Sequence, residues 1–225
     1  MSDTTAAPVG VTTPLKGIRR TAARRMVAAW EAPVFHLTIE IDMTEASKVK
    51  QVVPEATVTD VLVAAAAQAL IAVPALNSYV GDDEVTVFSE ANVGVAVATD
   101  KGLTVPVIHG ADRLTMTEIA ARRREAVDRA RTGTLVRDDI TGGTFTISNL
   151  GMMGIDRFDA ILNIPQSAIL AVGATKKRHV WTEAGGEWLP IAEFTLTCDH
   201  RSVDGATGAT FLKAFSDALT TPIAV

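Results

Sequence analysis

Apolar and polar residues alternate along residues 34–43. Phe35, Leu37, Ile39 and Ile41 are each separated by one residue, and most of the residues between them are polar. A period of two places successive side chains on opposite faces of an extended chain. This segment therefore predicts a strand with one buried face.

Apolar residues at helical spacing, or in runs too long for a strand, predict five helices. The helices are expected at residues 14–30, in a short segment that ends at Pro54, and at residues 60–73, 115–131 and 206–219. Thr44 and Thr59 are predicted to cap the second and third helices. Thr115 and Glu118 form a predicted capping box at the start of the fourth.

The remaining apolar segments are short and predict further strands. They lie at residues 85–88, 93–98, 103–107, 144–148, 168–173 and 191–198. Turn residues around Asp100 and around Gly185 predict two hairpins. Because strands and helices mix without strict alternation, we expect an α/β fold, a two-layer sandwich in which helices cover a mixed sheet.

The composition is that of a globular protein, since 48% of the 225 residues are apolar and the formal net charge is −5. This charge does not favour nucleic acid as a partner. No apolar run approaches the roughly 18 residues of a membrane helix, and the N-terminus lacks a secretory signal. The single cysteine, Cys198, allows no internal disulfide. We expect a cytoplasmic protein with one domain at residues 14–225, after a flexible tail or linker remnant at residues 1–13.

The segment TCDHRSVDGATG, residues 197–208, contains the first candidate site. His200 ends a predicted strand, and Asp204 and Gly205 follow it. Loops at strand ends are where reactive side chains reach a cleft, and a glycine at position 205 permits a tight turn with positive φ. The residues alone leave two interpretations: a reactive histidine, or a histidine with local hydrogen bonds beside a helix cap.

The segment GGTFTISNLGMMGID, residues 142–156, contains the second candidate site. Ser148 and Asn149 end a predicted strand between glycines. The Ser148 hydroxyl could act as a nucleophile or donate a hydrogen bond to an oxyanion. The segment has neither the G-x-S-x-G pattern of a hydrolase nor a phosphate-binding glycine pattern. A structural strand that leads into a glycine-rich turn is the alternative.

Several longer segments, taken together, resemble one known family. TFTISNLG, INIPQSAILAVGA and LTCDHRSVDGA occur in this order, after PLKGIRRTAARRM, HLTIEIDMTE and VGVAVATDKGLTVPVI. They resemble the catalytic core of the dihydrolipoamide acyltransferases of 2-oxo acid dehydrogenase complexes. The resemblance covers nearly all of the chain after residue 13, and it implies a trimeric fold like that of chloramphenicol acetyltransferase.

The resemblance implies transfer of an acyl group between the thiols of dihydrolipoamide and coenzyme A. His200 matches the family's base, and Ser148 matches the hydroxyl that stabilises the oxyanion. Asp204 matches an aspartate expected to pair with an arginine of the first helix, for which Arg19 is the candidate. The resemblance also implies Asn149 and Gly205 as supporting residues of the site. It implies Ile169 and Leu170 as residues of the substrate channel.

The acyl group is expected to be acetyl, with branched-chain acyl and succinyl groups as alternatives. A chloramphenicol-type O-acetyltransferase is less favoured, because Asp199 stands where those enzymes usually have a second histidine. A non-catalytic core scaffold is also less favoured, because such relatives lose the catalytic histidine and His200 is present.

The remaining reactive side chains have structural interpretations. The other histidines lack metal-ligand spacing, so no metal is expected: His36, His109 and His179. Cys198 could pair with His200 but is expected to be a buried thiol. The arginine run at residues 122–124 is expected to mark an exposed helix face.

The resemblance also implies partners. The family forms homotrimers with the active site in a channel between subunits, and some members build larger cores of roughly 24 or 60 copies. The apolar C-terminus at residues 222–225 fits such an assembly or a frayed end. The lipoyl group is expected on a separate domain or chain, and E1 and E3 components are expected to bind through domains outside these residues.

Overall fold

The computed structural model describes residues 10–100, 102–183 and 185–223. The helices of these residues are α1 (Gly17–Ala29), α2 (Val49–Val52), α3 (Val58–Ala72), α4 (Met116–Thr132) and α5 (Gly205–Thr220). The strands are β1 (Val34–Asp42), β2 (Ser78–Val80), β3 (Val85–Val87), β4 (Val93–Val95), β5 (Val97–Thr99), β6 (Gly102–Thr104), β7 (Val107–Ile108), β8 (Phe145–Asn149), β9 (Ala168–Val172), β10 (Lys176–Thr182) and β11 (Gly185–Asp199).

A seven-stranded sheet forms one layer, in the order β1-β11-β9-β8-β4-β7, and β10 also pairs with β11. β8 is parallel to both β4 and β9, whereas β11 is antiparallel to its neighbours. The predicted α/β fold with a mixed sheet is confirmed. β11 begins six residues before the predicted strand, at Gly185 instead of Ile191, because its first half pairs with β10.

Helices α3 and α5 cover one face of the sheet and bury the main core there. Two aromatic pairs pack in this core at centroid separations of 5.3 and 5.4 Å: Phe194–Phe215 and Phe145–Phe211. Helix α5 lies very close to β1, since a Cβ added at Gly208 would be 2.7 Å from Leu37 Cδ1. The sheet edge and the start of α5 are thereby fixed relative to each other.

The structure corrects two predicted helix caps. Thr57, and not Thr59, is the N-cap of α3, and its backbone N–H and hydroxyl both donate to the Asp60 carboxylate at 2.7 and 2.9 Å. Thr44 caps no helix; its N–H and hydroxyl donate to Asp42 Oδ1. In both places the threonine hydroxyl bonds to a nearby aspartate, because a charged carboxylate is a stronger hydrogen-bond acceptor than a neutral group.

Helix α1 differs from the other long helices because little of it is buried. Ala29 is its buried residue, while Ile18 and Val27 are 44% and 71% exposed. Residues 10–13 of the predicted tail are exposed and form no helix or strand, and residues 1–9 lie outside the described residues. Within the described residues, no helix has the length and apolar content needed to cross a bilayer.

The arginine run on α4 is not wholly an exposed face, which corrects the prediction. Arg123 donates from Nε and Nη2 to the two carboxylate oxygens of Asp60, at 2.5 and 3.0 Å. The Asp60 side chain is completely buried. This ion pair joins α4 to α3, and Arg122 and Arg124 stay exposed.

We expect the substitution Arg123→Met to lower the free energy of unfolding by about 3–5 kcal/mol, because it leaves the buried Asp60 carboxylate without a counter-charge. The control Arg124→Met changes an exposed residue of the same helix and should shift it by less than about 0.5 kcal/mol. Urea denaturation at matched protein concentration measures both values. Equal effects of the two substitutions would contradict this account of the ion pair.

Candidate active site

His200 directly follows the last residue of β11, an inner strand of the sheet. The His200 N–H donates to the Pro33 carbonyl at 2.9 Å, one residue beyond the last pair of the β1–β11 ladder. The imidazole packs against Phe35 with ring centroids 4.7 Å apart, and His200 is exposed. The backbone of His200 is therefore fixed while its ring stays accessible.

The charged residues on either side of His200 bind each other. Arg201 donates from its backbone N–H and Nε to Asp199 Oδ1, both at 3.0 Å, and from Nη2 to Oδ2 at 2.6 Å. These hydrogen bonds raise the pKa of Arg201. Neither residue was predicted from the sequence to support the site. The sequence feature that could have indicated them is that two residues of opposite charge directly flank a candidate base.

Asp204 caps the helix that follows the turn. Its carboxylate accepts the Thr207 N–H at 2.7 Å at the start of α5. Hydrogen bonds from Thr207 lower the pKa of Asp204, so this carboxyl group is ionised at neutral pH. Gly205 does not use the positive φ that a glycine permits, because Asp204 makes the turn in an extended conformation and Gly205 begins the helix.

The predicted pair of Asp204 with Arg19 is not formed within the chain. Arg19 lies on α1 against Gly102 of β6. The ion pairs found in residues 10–100, 102–183 and 185–223 do not include these two side chains. The physical reason is that the Asp204 carboxylate is exposed and already caps α5.

Strand β8 carries Ser148 near its C-terminal end. Ser148 pairs with Ala171 of β9, and its side chain lies on the face opposite the main core, since the adjacent Ile147 is buried in that core. Asn149 directly follows, and its Oδ1 accepts the Gly151 N–H at 2.9 Å. This bond starts the turn after Ser148, and the supporting role of Asn149 stays a prediction.

Two further contacts hold the region around Ser148. A Cβ added at Gly173 would lie 1.8 Å from the Asp156 carbonyl oxygen, so the turn after β8 packs directly on Gly173. On the face of Ser148, the Thr146 hydroxyl donates to Gln166 Oε1 at 2.6 Å and accepts from Asn163 Nδ2 at 3.1 Å. These buried bonds fix β8 against the segment before β9.

Ser148 and His200 do not meet within one chain. Ser148 pairs with Ala171, which pairs with Thr195, five residues before His200 on β11. Two strand spacings and five residues of extended chain separate their Cα atoms by about 19 Å. Phe35, which contacts the His200 ring, packs on the main core, whereas Ser148 lies on the other face. The two side chains can act on one substrate only if they come from different copies.

The two predicted channel residues lie on opposite faces of β9, and a channel position for Ile169 stays a prediction. Leu170 is completely buried in the main core, which corrects its expected place in a channel. Ile169 lies on the other face of β9, in a small cluster with Ala32 and Leu162. A cleft of about 410 Å³ beside this cluster is bordered by Arg201 and reaches the turn that carries His200.

The other candidate side chains are buried or contact neighbouring side chains. Cys198 is buried, as predicted, and burial followed by the charge of Asp199 raises the pKa of its thiol to about 12. His36 Nδ1 lies 2.9 Å from the Thr197 hydroxyl. In the part of the chain that the structure describes, no group of three or more His, Cys, Asp or Glu residues is arranged to hold a metal ion.

The comparison with protein families gives one clear match. The family described as 2-oxoacid dehydrogenases acyltransferase (catalytic domain) matches residues 9–225. A dihydrolipoyllysine-residue acetyltransferase component of the pyruvate dehydrogenase complex from Rickettsia bellii is 35% identical over 219 residues. The match covers 93% of this chain and 52% of that protein, so the chain spans about half the length of this relative.

Solved structures give the same result for the fold. The dihydrolipoamide acetyltransferase of Azotobacter vinelandii superposes with a TM-score of 0.89 at 29% identity, over 97% of this chain and 95% of that one. The crystallographic and enzymatic work on it concerns the catalytic roles of a serine, a histidine and an asparagine. The cubic core of a pyruvate dehydrogenase complex gives a TM-score of 0.88 at 29% identity, over 97% and 95% of the two chains. Chloramphenicol acetyltransferase, at 14% identity and a TM-score of 0.59, shares the fold over 84% of this chain and 86% of its own.

Proposed function

Because the chain belongs to the family of 2-oxoacid dehydrogenase acyltransferase catalytic domains, we propose that it transfers an acetyl group between the thiols of dihydrolipoamide and coenzyme A. One observation carries this proposal. The serine, histidine and asparagine studied in the Azotobacter enzyme are separated by 52 and 4 residues. Ser148, His200 and Asp204 have the same separations. Aspartate replaces the asparagine at the last position.

His200 is the proposed base. A thiol with a pKa near 8.5 is mostly protonated at neutral pH, and a neutral imidazole can accept its proton. The resulting thiolate attacks the carbonyl carbon of the thioester, and the C=O electrons move onto oxygen. When this tetrahedral intermediate collapses, the C–S bond to the other thiol breaks and His200 returns the proton to the departing sulfur.

Ser148 is the proposed stabiliser of the tetrahedral intermediate. Its hydroxyl would donate a hydrogen bond to the oxyanion, the type of contact that strengthens as negative charge develops. Ser148 forms no covalent bond in this mechanism, so the acetyl group passes directly between the two sulfur atoms.

We place the site between two copies of the chain, in a homotrimer. The Cα separation of about 19 Å between Ser148 and His200 supports this arrangement, because one chain cannot bring them together. Exposed apolar side chains lie near both residues: Met152 and Met153 follow Ser148, and Trp30 precedes the Pro33 contact of His200. Exposed apolar surfaces of this kind mark contacts with other chains.

Larger assembly and lipoyl delivery are further parts of the proposal. The similarity to a subunit of a cubic core supports an oligomeric core built from trimers. Ile223 packs partly against the main core, while Ala224 and Val225 lie outside the described residues. A lipoyl group on a separate domain or chain, E1 and E3 components as partners, and a cytoplasmic location stay predictions.

The proposal is tested by measuring coenzyme A release from acetyl-CoA with free dihydrolipoamide as acceptor. We expect turnover that depends on dihydrolipoamide, with isobutyryl-CoA and succinyl-CoA as poorer donors. Chloramphenicol serves as the control acceptor and should not be acetylated. Preference for another acyl donor would change the proposed acyl group, and absence of turnover with all three donors would reject the proposed reaction.

A further inference from the structure

The turn that carries His200 is built around a buried carboxylate. The Asp199 side chain is 2% exposed and accepts hydrogen bonds from the backbone and the guanidinium of Arg201. The backbone of Asp199 is fixed as well, since its N–H donates to the Ser167 carbonyl at 2.9 Å and its own carbonyl accepts the Val203 N–H at 3.0 Å. Asp199 thus connects the chain before and after His200.

We propose that Asp199 and Arg201 are positioning residues that hold His200 in its reactive orientation. This inference rests on the proposed transfer reaction. The Pro33 hydrogen bond and the Phe35 ring contact hold His200 from the side of β1. Neither contact fixes the peptide group that follows His200. The Arg201 side chain, folded back onto Asp199, closes the turn from that side.

The placement of the pair favours a role in orientation over one in stability. A buried ion pair gains little stability relative to apolar residues, because both charges must be desolvated. Arg201 also has access to solvent, since 40% of its side chain is exposed. Arg201 nevertheless donates four hydrogen bonds to Asp199 across a turn of three residues. These bonds fix the geometry of the turn at His200.

The substitution Asp199→Asn tests this role. Asparagine keeps the size of the side chain and an acceptor for the Arg201 N–H, but it removes the charge that holds the guanidinium. We expect kcat for acetyl transfer to fall about 10- to 100-fold, because a displacement near 1 Å at a reacting group has effects of this size. KM for acetyl-CoA and for dihydrolipoamide should stay within about twofold, since the proposed role of the pair is to orient His200 and not to bind substrate.

Asp60→Asn is the matched control, because Asp60 is the other buried carboxylate with an arginine partner. It should lower the thermal midpoint and leave kcat per folded protein unchanged. A second comparison remains informative if Asp199→Asn folds poorly: Arg201→Lys keeps the charge and should retain more of kcat than Arg201→Gln.

The outcomes separate the two proposals. If the wild-type protein transfers acetyl groups and Asp199→Asn keeps kcat within about threefold, or loses activity only through KM, the positioning role is overturned alone. Equal kcat values for Arg201→Lys and Arg201→Gln would overturn it too. Absence of transfer by the wild-type protein would overturn the proposed reaction and this inference together.

Discussion

Replacing His200 with alanine should lower acetyl transfer by a factor of about 10²–10⁴, the usual contribution of a general base. The cause is chemical, because the attacking thiol would lose its proton acceptor. The fold should not change, since His200 is exposed and its backbone hydrogen bond to Pro33 does not depend on the side chain. Coenzyme A release under saturating dihydrolipoamide measures the loss.

The control for this substitution is His179→Ala, which removes an exposed imidazole on the β10–β11 hairpin, next to Trp188. It should leave turnover at the wild-type value. Circular dichroism and the thermal midpoint report whether each variant is folded. Equal turnover of the His200→Ala variant and the wild-type protein would remove this residue from the mechanism.

Replacing Ser148 with alanine should lower the rate by about 10²–10³, the typical effect of losing one oxyanion donor. Ser148→Thr is the matched variant, because it keeps a hydroxyl at the same position on β8. It should retain more activity than the alanine variant. A rate for Ser148→Ala near the wild-type value would show that the oxyanion is stabilised by other groups.

The distance between Ser148 and His200 allows a stricter test, which asks whether the two side chains of one site come from different copies. When the Ser148→Ala and His200→Ala chains are dissociated, mixed in equal amounts and reassembled, about one quarter of the sites should contain both intact side chains, because each side chain is supplied by a different copy. Activity should rise well above that of either variant. No recovery in verified mixed oligomers would show that each site is formed within one chain.

Much of the fold could be predicted from the sequence because local patterns determine it. The alternation of Phe35 to Ile41 gave β1, and the capping box at Thr115 gave the start of α4. The residues of the site were found through their resemblance to a family, at two strand ends far apart along the chain. The separation of Ser148 from His200 within one chain depends on strand register, which the residues alone do not determine.

Two of the predictions that failed concern contacts between distant segments, whereas the failed caps at Thr44 and Thr59 are local. The buried pair of Asp60 with Arg123 joins residues 63 positions apart, and no local spacing indicates it. Arg19 was assigned to Asp204 by resemblance, but the competing cap at Thr207 uses that carboxylate. The pair of Asp199 and Arg201 differs from these, because its two residues are close along the chain. A local ion pair around His200 could have been considered from the sequence.

The depth at which Cys198 lies has a consequence for redox chemistry. Both proposed substrates are thiols, and their oxidised forms are disulfides that exchange with accessible thiolates. With a pKa of about 12, Cys198 is ionised in only about one molecule in 10⁵ at neutral pH. Helix α5 also covers the sulfur, which lies 3.6 Å from the position of a Cβ at Gly208. If the proposed transfer reaction holds, its sulfur substrates would therefore bind near this cysteine without trapping it in a mixed disulfide.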